Sequence, residues 1–409
     1  MVHERFTSAL RTNNPLQQTF PSHDRFENII TSLDTNGQQN IFLQINSGQN
    51  ANASTWSTDA IIAYTNLINK GWTINQNGTP SMSDLEYTIN TSGTFTLKSS
   101  NSNYTVDWGD GSSLETSTST TLSHTYSSAG TYVVKINVNS GTRYGPLYNG
   151  NVAGDEITSV AISSFGSSPL TSMERALKGC QNMTKYNQVA AGSSAVTNLR
   201  ETWESCSGLT TFPLINTSSV TNFNEAWNQC SGLTSFPLID TSSGTNFGGT
   251  WNGCSGITTF PQLDTSSGTA FNVTWLNCSG LTAFPQLDTS SGTNFSGSWK
   301  NCTGLTTFPV LDTSSGTDFS NSWEGCTGLT TFPVLDTSSG TDFGAAWNLC
   351  SGLTSFPLID VSSGTNFFYT WRGCTGLTTF PQLDTSSGTD FRNTWLRIVT
   401  GKHQSKEMK

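Results

Sequence analysis

The stretch from Leu233 to Gly256, LTSFPLIDTSSGTNFGGTWNGCSG, decides the fold because close copies of it fill the second half of the 409-residue chain. Its tryptophan recurs every 24 residues, at Trp203, Trp227, Trp251, Trp275, Trp299, Trp323, Trp347, Trp371 and Trp395. A fixed period of this length is typical of a solenoid, in which each unit buries its apolar face only by stacking on its neighbours. The repeat therefore predicts a solenoid of stacked coils.

The first half of each copy predicts a short strand and a turn. In the quoted copy, Leu233, Phe236 and Ile239 are the apolar positions that we expect to point into the core. Pro237 lacks a backbone N–H and cannot continue a hydrogen-bond ladder, so it should end the strand after about three or four residues. The phrase DTSS, which starts at Asp240, then turns the chain.

The second half of each copy predicts a two-turn helix. Phe247, Trp251 and Cys254 fall at i, i+4 and i+7, which is the spacing of one helical face. Thr245 is the predicted N-cap, and Gly256 is the predicted left-handed C-cap.

The two halves together predict the shape of the solenoid. Parallel strands stack about 4.8 Å apart, whereas packed helices need about 8–10 Å. Because unequal spacing forces curvature, we expect an arc with the short parallel strands on the concave side and the short helices outside. The first position of the copy recurs from Ile157 onward, at steps of 26 and then 24 residues.

One copy also resembles a known family. The segment from Leu209 to Leu233 is similar to the BspA-like leucine-rich repeat of bacterial surface proteins, in which a D-T-S-x-V-T-N-M phrase precedes M-F-x-x-C. Asn216–Phe223 and Ala226–Cys230 occupy these places. The departures are Trp for the usual Phe, an inserted Phe-Pro pair and a unit two residues shorter. The resemblance covers residues 157–396 and implies an α/β leucine-rich-repeat solenoid that serves adhesion without catalysis.

A second resemblance lies over residues 84–140, where strand-length runs alternate in polarity. The segment resembles the PKD domain, a small immunoglobulin-like β-sandwich common in surface proteins. Three motifs carry the resemblance: VDWGDG at Val106–Gly111, HTY at His124–Tyr126 and GTYVV at Gly130–Val134. Trp108 and Tyr126 would be core aromatics, and Asp110 with Gly111 would form a tight turn.

The remaining segments are short. Residues 1–25 are predicted to be a flexible lead-in, and residues 26–80 a small α/β solenoid-like segment ordered helix, strand, helix, strand. Its strands are predicted at Ile41–Asn46 and Trp72–Gly78. Residues 397–409 form a basic tail after the last copy.

Composition limits the function and the location. Only 11% of the residues are charged, against about a quarter in ordinary globular proteins, and an uncharged polar surface suits an extracellular, cell-surface or virion protein. The net charge of −10 argues against nucleic acid, because no basic patch would neutralise phosphates. We expect no membrane span, and the N-terminus shows no signal peptide. Release by lysis in a phage particle, an unrecognised export system and a gene with a missing 5′ end remain open.

Enzymatic activity is not indicated. Asp107, Asp110 and His124 could form an acid–base site, but turn capping and strand packing are commoner roles for such residues. The four histidines lack nucleophile motifs and metal-ligand spacing: His3, His23, His124 and His403.

Two polar columns recur through the copies. All nine cysteines occupy one repeat position, and a buried stack of thiols is the preferred interpretation, because cysteine is among the most buried residue types. Disulfides between adjacent coils are less favoured, because parallel side chains give poor geometry and an odd number of cysteines leaves one unpaired. A zinc site is also less favoured, because no second type of metal ligand recurs beside the cysteines. The aspartates that open each turn could bind calcium between coils. A carboxylate that bonds its own backbone explains them equally well, so we expect no cofactor.

The candidate ligand-binding residues come from comparing the copies with one another. The strand face repeats threonine, which suits a periodic ligand such as a polysaccharide or ice, although strand propensity alone also explains it. The outer positions vary, which suits a unique protein epitope. The candidates are Thr234, Thr258, Thr282, Thr306, Thr330, Phe368 and Tyr369.

These observations favour a non-catalytic recognition or adhesion protein. It would bind a glycan or protein on a host or neighbouring cell through a curved repeat solenoid, as a bacterial surface protein or a phage receptor-binding or fibre-associated protein. The alternatives are a purely structural virion or cell-wall spacer and a binder of ice or another periodic surface. The oligomeric state stays open.

Overall fold

The computed structural model describes residues 16–17, 42–44, 73–75, 85–98, 102–141, 156–162, 171–188 and 195–395. Strands dominate their regular structure, and none of these residues lies in an α-helix. The lack of helices in this part of the chain argues against the expected α/β solenoid with outer helices. The reason lies in the backbone of the second half of each copy, described below.

Three short strands come first: β1 (Leu16–Gln17), β2 (Phe42–Gln44) and β3 (Thr73–Asn75). They pair in parallel in the order β1-β2-β3. Strands β2 and β3 lie where the sequence predicts strands. Strand β1 falls in the predicted flexible lead-in, which therefore contributes to a sheet. The predicted helices at residues 26–37 and 57–71 lie outside the described residues.

The next six strands form a sandwich: β4 (Leu85–Thr91), β5 (Thr94–Lys98), β6 (Ser102–Asp107), β7 (Glu115–Ser117), β8 (Thr121–Thr125) and β9 (Gly130–Gly141). Strands β4, β9, β6 and β7 pair antiparallel in one sheet, and β5 pairs with β8 in a second. Trp108 and Tyr126 are buried between them, as predicted, and the Tyr126 hydroxyl donates to the Trp108 carbonyl oxygen at 2.9 Å.

One strand joins the sandwich to the coils. Strand β10 (Ile157–Ile162) pairs antiparallel with β4 on one side and parallel with β11 (Lys185–Gln188) on the other. The larger sheet therefore runs without a break in the order β11-β10-β4-β9-β6-β7. A solenoid needs its first coil covered, and here the edge of the sandwich covers it through backbone hydrogen bonds.

The second half of each coil is a chain of turns. In the quoted copy, the N–H groups of Phe247, Gly249, Trp251 and Gly253 donate to carbonyl oxygens of the next coil at 2.7–2.9 Å. The N–H groups of Thr250, Asn252 and Cys254 donate instead to the carbonyl oxygen three positions earlier in the same coil, as from Cys254 to Trp251. The Gly248 N–H donates to the Asn246 side-chain oxygen. A helix would turn all of these N–H groups along its own axis. Here every second group links neighbouring coils.

This backbone depends on left-handed residues. Gly249 has φ 64° and Gly253 has φ 75°, and the same two positions are left-handed throughout the repeats, even where β-branched Val273 (φ 50°) occupies one. Such a conformation strains a residue with a Cβ, but the bonds to the next coil impose it. The predicted helix caps fail for the same reason: Thr245 caps no helix, and its N–H and hydroxyl donate to the Thr221 carbonyl oxygen.

Gly256 is needed for a different reason than predicted. It is absent from the left-handed positions, so it is no left-handed cap. A Cβ at Gly256 would lie 2.6 Å from the Leu233 carbonyl oxygen and 2.7 Å from that of Ser231. The glycine is therefore needed because the backbone of the preceding coil approaches closely, and not because its own φ is positive.

Strands β10 and β11 occupy the first halves of the first two coils. From Leu209 onward this half forms at most isolated bridges, such as Thr259 with Ala283 and Ser355 with Thr379. The buried phenylalanines of this half lie 5.3–6.2 Å apart between coils, in the column that starts at Phe212. Those of the turn half, in the column that starts at Phe223, lie 5.3–5.7 Å apart. The turn half is not more widely spaced, so the predicted cause of an arc with a concave strand side is absent.

The core consists of columns of identical side chains. The tryptophans stack nearly parallel with ring centroids 4.7–6.0 Å apart, and those from Trp203 to Trp371 are completely buried. Columns of phenylalanine, cysteine and leucine surround them. The period thus correctly predicts which residues face inward.

Candidate functional site

The predicted threonine column lies on the surface. Thr234, Thr258, Thr282, Thr306 and Thr330 are all exposed, one per coil. Where a contact is recorded, the hydroxyl donates to the threonine carbonyl oxygen one coil earlier, as from Thr234 to Thr210 at 3.3 Å. The column therefore has a structural role in joining coils, and ligand binding by it stays a prediction.

A column of exposed apolar and amide side chains runs parallel to the threonines. The five aliphatic members are 58–70% exposed: Leu214, Leu238, Val310, Val334 and Leu358. Glutamines fill the other places, and the side-chain nitrogen of Gln262 donates to the Gln286 carbonyl oxygen at 3.1 Å. Packing in the core does not require an apolar residue at an exposed position, and aligned exposed apolar groups indicate an interaction surface.

A shallow groove of about 840 Å³ lies along this column, and its lining includes Leu238, Gln262, Gln286, Asp264 and Asp288. Sequence analysis missed this groove. The signal was present in the sequence, because this position varies among Leu, Gln and Val while the residue before it is always Pro and the residue after it is always Leu or Ile.

The aspartate column forms turns. Asp240 Oδ1 accepts hydrogen bonds from the backbone N–H and the hydroxyl of Ser242, at 3.1 and 2.7 Å. These bonds hold the pKa of Asp240 below its usual range. The turn interpretation therefore accounts for the carboxylates. Among the described residues, the group of three potential metal ligands within 4.8 Å of one another lies elsewhere, at Glu201, Glu204 and Glu225.

Two glutamates of that group, Glu201 and Glu204, belong to an ion-pair network. The Glu201 side chain is 3% exposed, and Arg175, Lys178 and Arg200 contact its carboxylate at 2.5–2.8 Å. Hydrogen bonding from Arg175, together with Lys178 and Arg200, lowers the pKa of Glu201 to about 2. The three cations supply the positive charge that a metal ion would bring, so the network is chemically complete without one.

The predicted ligand residues Phe368 and Tyr369 form a half-buried cluster on the turn side. Their rings stack with centroids 3.9 Å apart. The Arg372 guanidinium lies over the Tyr369 ring at 4.5 Å, and that of Arg392 lies over the Phe368 ring at 5.0 Å. Arg392 also bonds Asp390 at 2.7 Å. We call Phe368, Tyr369, Arg372 and Arg392 the aromatic–arginine stack.

The two arginines were not among the sequence-predicted residues. Lys300, Arg372 and Arg392 are the only cations between Leu209 and Trp395, so two of three lie together on two aromatic rings. Their rarity in an acidic repeat was the available signal. Tyr and Arg are the residue types that most often dominate binding energy.

The cysteines are buried and free, from Cys180 to Cys374. Each thiol from Cys206 onward donates to a carbonyl oxygen of the preceding coil, as from Cys254 to Trp227 at 3.2 Å. Burial raises the pKa of Cys278 to about 12. These thiols are therefore packing groups with very little thiolate.

The residues proposed as an acid–base alternative lie in the sandwich. His124 stacks on Trp108 with centroids 4.9 Å apart, and its Nε2 lies 2.7 Å from Asp110 Oδ2. Asp110 Oδ1 accepts the Ser112 N–H, and Gly111 has φ 83°. The pair thus connects the tight turn to β8.

Comparison with known protein families identifies a PKD domain at residues 69–144, a segment that contains strands β3 to β9. PKD domains are typically extracellular and serve as adhesion-type surface modules. The BspA-like resemblance of the coils finds no support in this comparison. No curated protein and no solved structure matches the chain. In the part of the chain that the structure describes, no helix is long and apolar enough to span a membrane.

Proposed function

We propose that this chain is a non-catalytic surface recognition protein that acts outside the cell, on a cell surface or a virion. It binds a cell-surface glycan or protein through exposed side chains of the coils. The PKD domain supports the location, since such domains are typically extracellular. The BspA-like phrase of the repeats and the low charge support the same role.

One observation carries the proposal. The residues that fill the core of each coil are nearly constant, whereas positions outside the core, exposed in one column and mostly half-buried in others, vary from coil to coil. The column of Leu238 varies on one side, and the columns of Phe368 and Tyr369 vary on the other. A purely structural spacer has no use for exposed leucine and valine in an otherwise polar column, and such side chains lower solubility.

The proposal is tested by binding of the labelled protein to bacterial and animal cells and to an array of glycans. The variant Leu238→Gln with Val310→Gln keeps residue types that the same column already contains at Gln262 and Gln286. We expect an unchanged melting temperature and weaker cell binding. A protein that binds no cell, no glycan and no cell-surface protein would contradict the proposal and favour the spacer.

A further inference from the structure

Among the described residues, no carboxylate forms an ion pair with Arg372, unlike Lys300 and Arg392 of the same coils. One coil earlier in the same column lies Asn348, and two coils earlier lies Glu324. Glu324 is already occupied, because Lys300 contacts its Oε2 at 2.7 Å and the side-chain nitrogen of Asn348 donates to its Oε1 at 3.0 Å. Within the described residues, Arg372 Nε has no hydrogen-bond partner although it is buried.

A second group without a hydrogen-bond partner lies at the same repeat position, one coil earlier. Asn348 is only 4% exposed, and its amide oxygen has no donor among the described residues. Leaving a buried donor and a buried acceptor unpaired carries a desolvation penalty. Arg372 and Asn348 occupy the same position in adjacent coils, and Asn228 and Asn252 of this column have an unpartnered amide oxygen as well. Asn348 is buried whereas the Arg372 side chain is only half-buried, so Arg372 is the member of this pair that a ligand can reach.

The contact between Arg372 and the Tyr369 ring leaves the guanidinium suited to bind a carboxylate. The Arg372 guanidinium carbon lies 4.5 Å from the centroid of the Tyr369 ring, and the planar fork of an arginine matches the two oxygens of a carboxylate. Arg392 is already neutralised by Asp390. The aromatic–arginine stack therefore offers one free positive charge and suits a ligand with one carboxylate.

The surroundings of this charge favour a sugar. The Tyr369 hydroxyl bonds no described residue, and Asn393, which follows Tyr369 by one coil in the same column, is exposed. Neutral groups that can bond sugar hydroxyls therefore belong to this column. The net charge of −10 repels densely charged polyanions. A sugar acid combines a single carboxylate with hydroxyls and an apolar ring face.

We infer that the aromatic–arginine stack binds a carboxylate-bearing sugar residue of a cell-surface glycan, such as a uronic or sialic acid, with the carboxylate on Arg372. This inference rests on the proposed function and specifies its ligand class.

The test is calorimetric titration of the full chain with 3′-sialyllactose and with a glucuronic-acid oligosaccharide, and with lactose as the neutral counterpart. We expect at least one acidic sugar to bind and lactose to bind much more weakly. Arg372→Asn, which introduces the residue that this column carries at Asn348, should weaken binding about tenfold or more. Lys300→Asn removes a paired cation from the same column and should leave affinity unchanged.

Three results would overturn the inference: no binding of either acidic sugar, equal binding of lactose, or equal loss in the Lys300 variant. A glutamate-rich peptide that binds in place of the sugars would also overturn it. Cell binding without acidic-sugar binding would defeat this inference alone and leave the proposed function standing. Absence of binding to cells, to glycans and to cell-surface proteins alike would defeat the proposed function as well.

Discussion

The indole rings of Trp299 and Trp323, one coil apart, lie within 7° of parallel with centroids 5.5 Å apart. Both are completely buried. An aromatic ladder that bound a carbohydrate would need exposed ring faces, so these tryptophans belong to the core. Their stack explains why the tryptophan is the most regular feature of the sequence.

Trp299→Ala should lower the free energy of unfolding by about 3–5 kcal/mol, because it empties a large buried site. Trp299→Phe should cost less than half of that. It keeps an aromatic ring in the stack, and the indole N–H that it removes has no partner among the described residues. Denaturant unfolding, followed by circular dichroism, measures both. Equal costs for the two variants would contradict this packing.

Gly256→Ala should destabilise the coils by about 1–3 kcal/mol, because the new Cβ meets backbone that cannot yield. Gly253→Asn is the matched control. It fills a left-handed position that Asn277 and Asn301 already occupy, and it meets only the end of the flexible Gln229 side chain. The melting temperature should fall for the first variant and stay nearly constant for the second. A larger fall in melting temperature for Gly253→Asn than for Gly256→Ala would indicate that Gly256, and not Gly253, is the left-handed residue.

The buried thiols should resist alkylation. Burial raises the pKa of Cys278 and Cys326 to about 12 from an ordinary value of 9.0, so the folded protein contains little thiolate at pH 8. We expect iodoacetamide to modify all nine cysteines only after unfolding, whereas Ser255→Cys adds one exposed thiol that reacts at once. Since the folded pKa is raised, stability should be full below pH 9 and fall as the pH rises toward 12. Rapid alkylation of the folded, unsubstituted protein would show that the coils open.

Glu201 should make the first coils sensitive to acid. Its pKa is lowered from 4.5 to about 2, so its contribution is present above pH 4.5 and is lost as the pH falls toward 2. Glu201→Gln should cost about 1–3 kcal/mol at pH 7 and weaken this acid dependence. Glu174→Gln breaks an ion pair in which both side chains are more than a third exposed, so it should cost under about 1 kcal/mol. Thermal unfolding between pH 2 and pH 7 separates the two variants.

The buried columns could be predicted from the sequence, and the backbone that holds them could not. A period of 24 with Phe247, Trp251 and Cys254 always apolar requires an inward face, whether the segment is a helix or a chain of turns. Four-residue turns place Phe247 and Trp251 on the same side as a helix does. The difference lies in the left-handed residues at Gly249 and Gly253, and the coils also place Val and Tyr there, which hides the glycine signal.

The candidate site was predicted in part. Variation between copies singled out Phe368 and Tyr369, and the structure brings their rings together. Arg372 was missed because its importance depends on pairing across three other coils. The structure shows that Lys300 and Asn348 both bind the Glu324 carboxylate, which leaves Arg372 without a carboxylate partner in this column.

The central claim is that the constant buried columns hold the fold and the variable exposed side chains bind the ligand. Its most direct test is to measure both stability and cell binding of Phe368→Ser with Tyr369→Gly. These residues occur in the same columns at Ser320 and Gly297, and glycine suits the left-handed Tyr369 position (φ 59°). The account predicts a melting temperature within about 2 °C of the unsubstituted protein and cell binding weakened about tenfold or more. Unchanged cell binding in this variant, with Trp299→Ala losing binding but no stability, would contradict it.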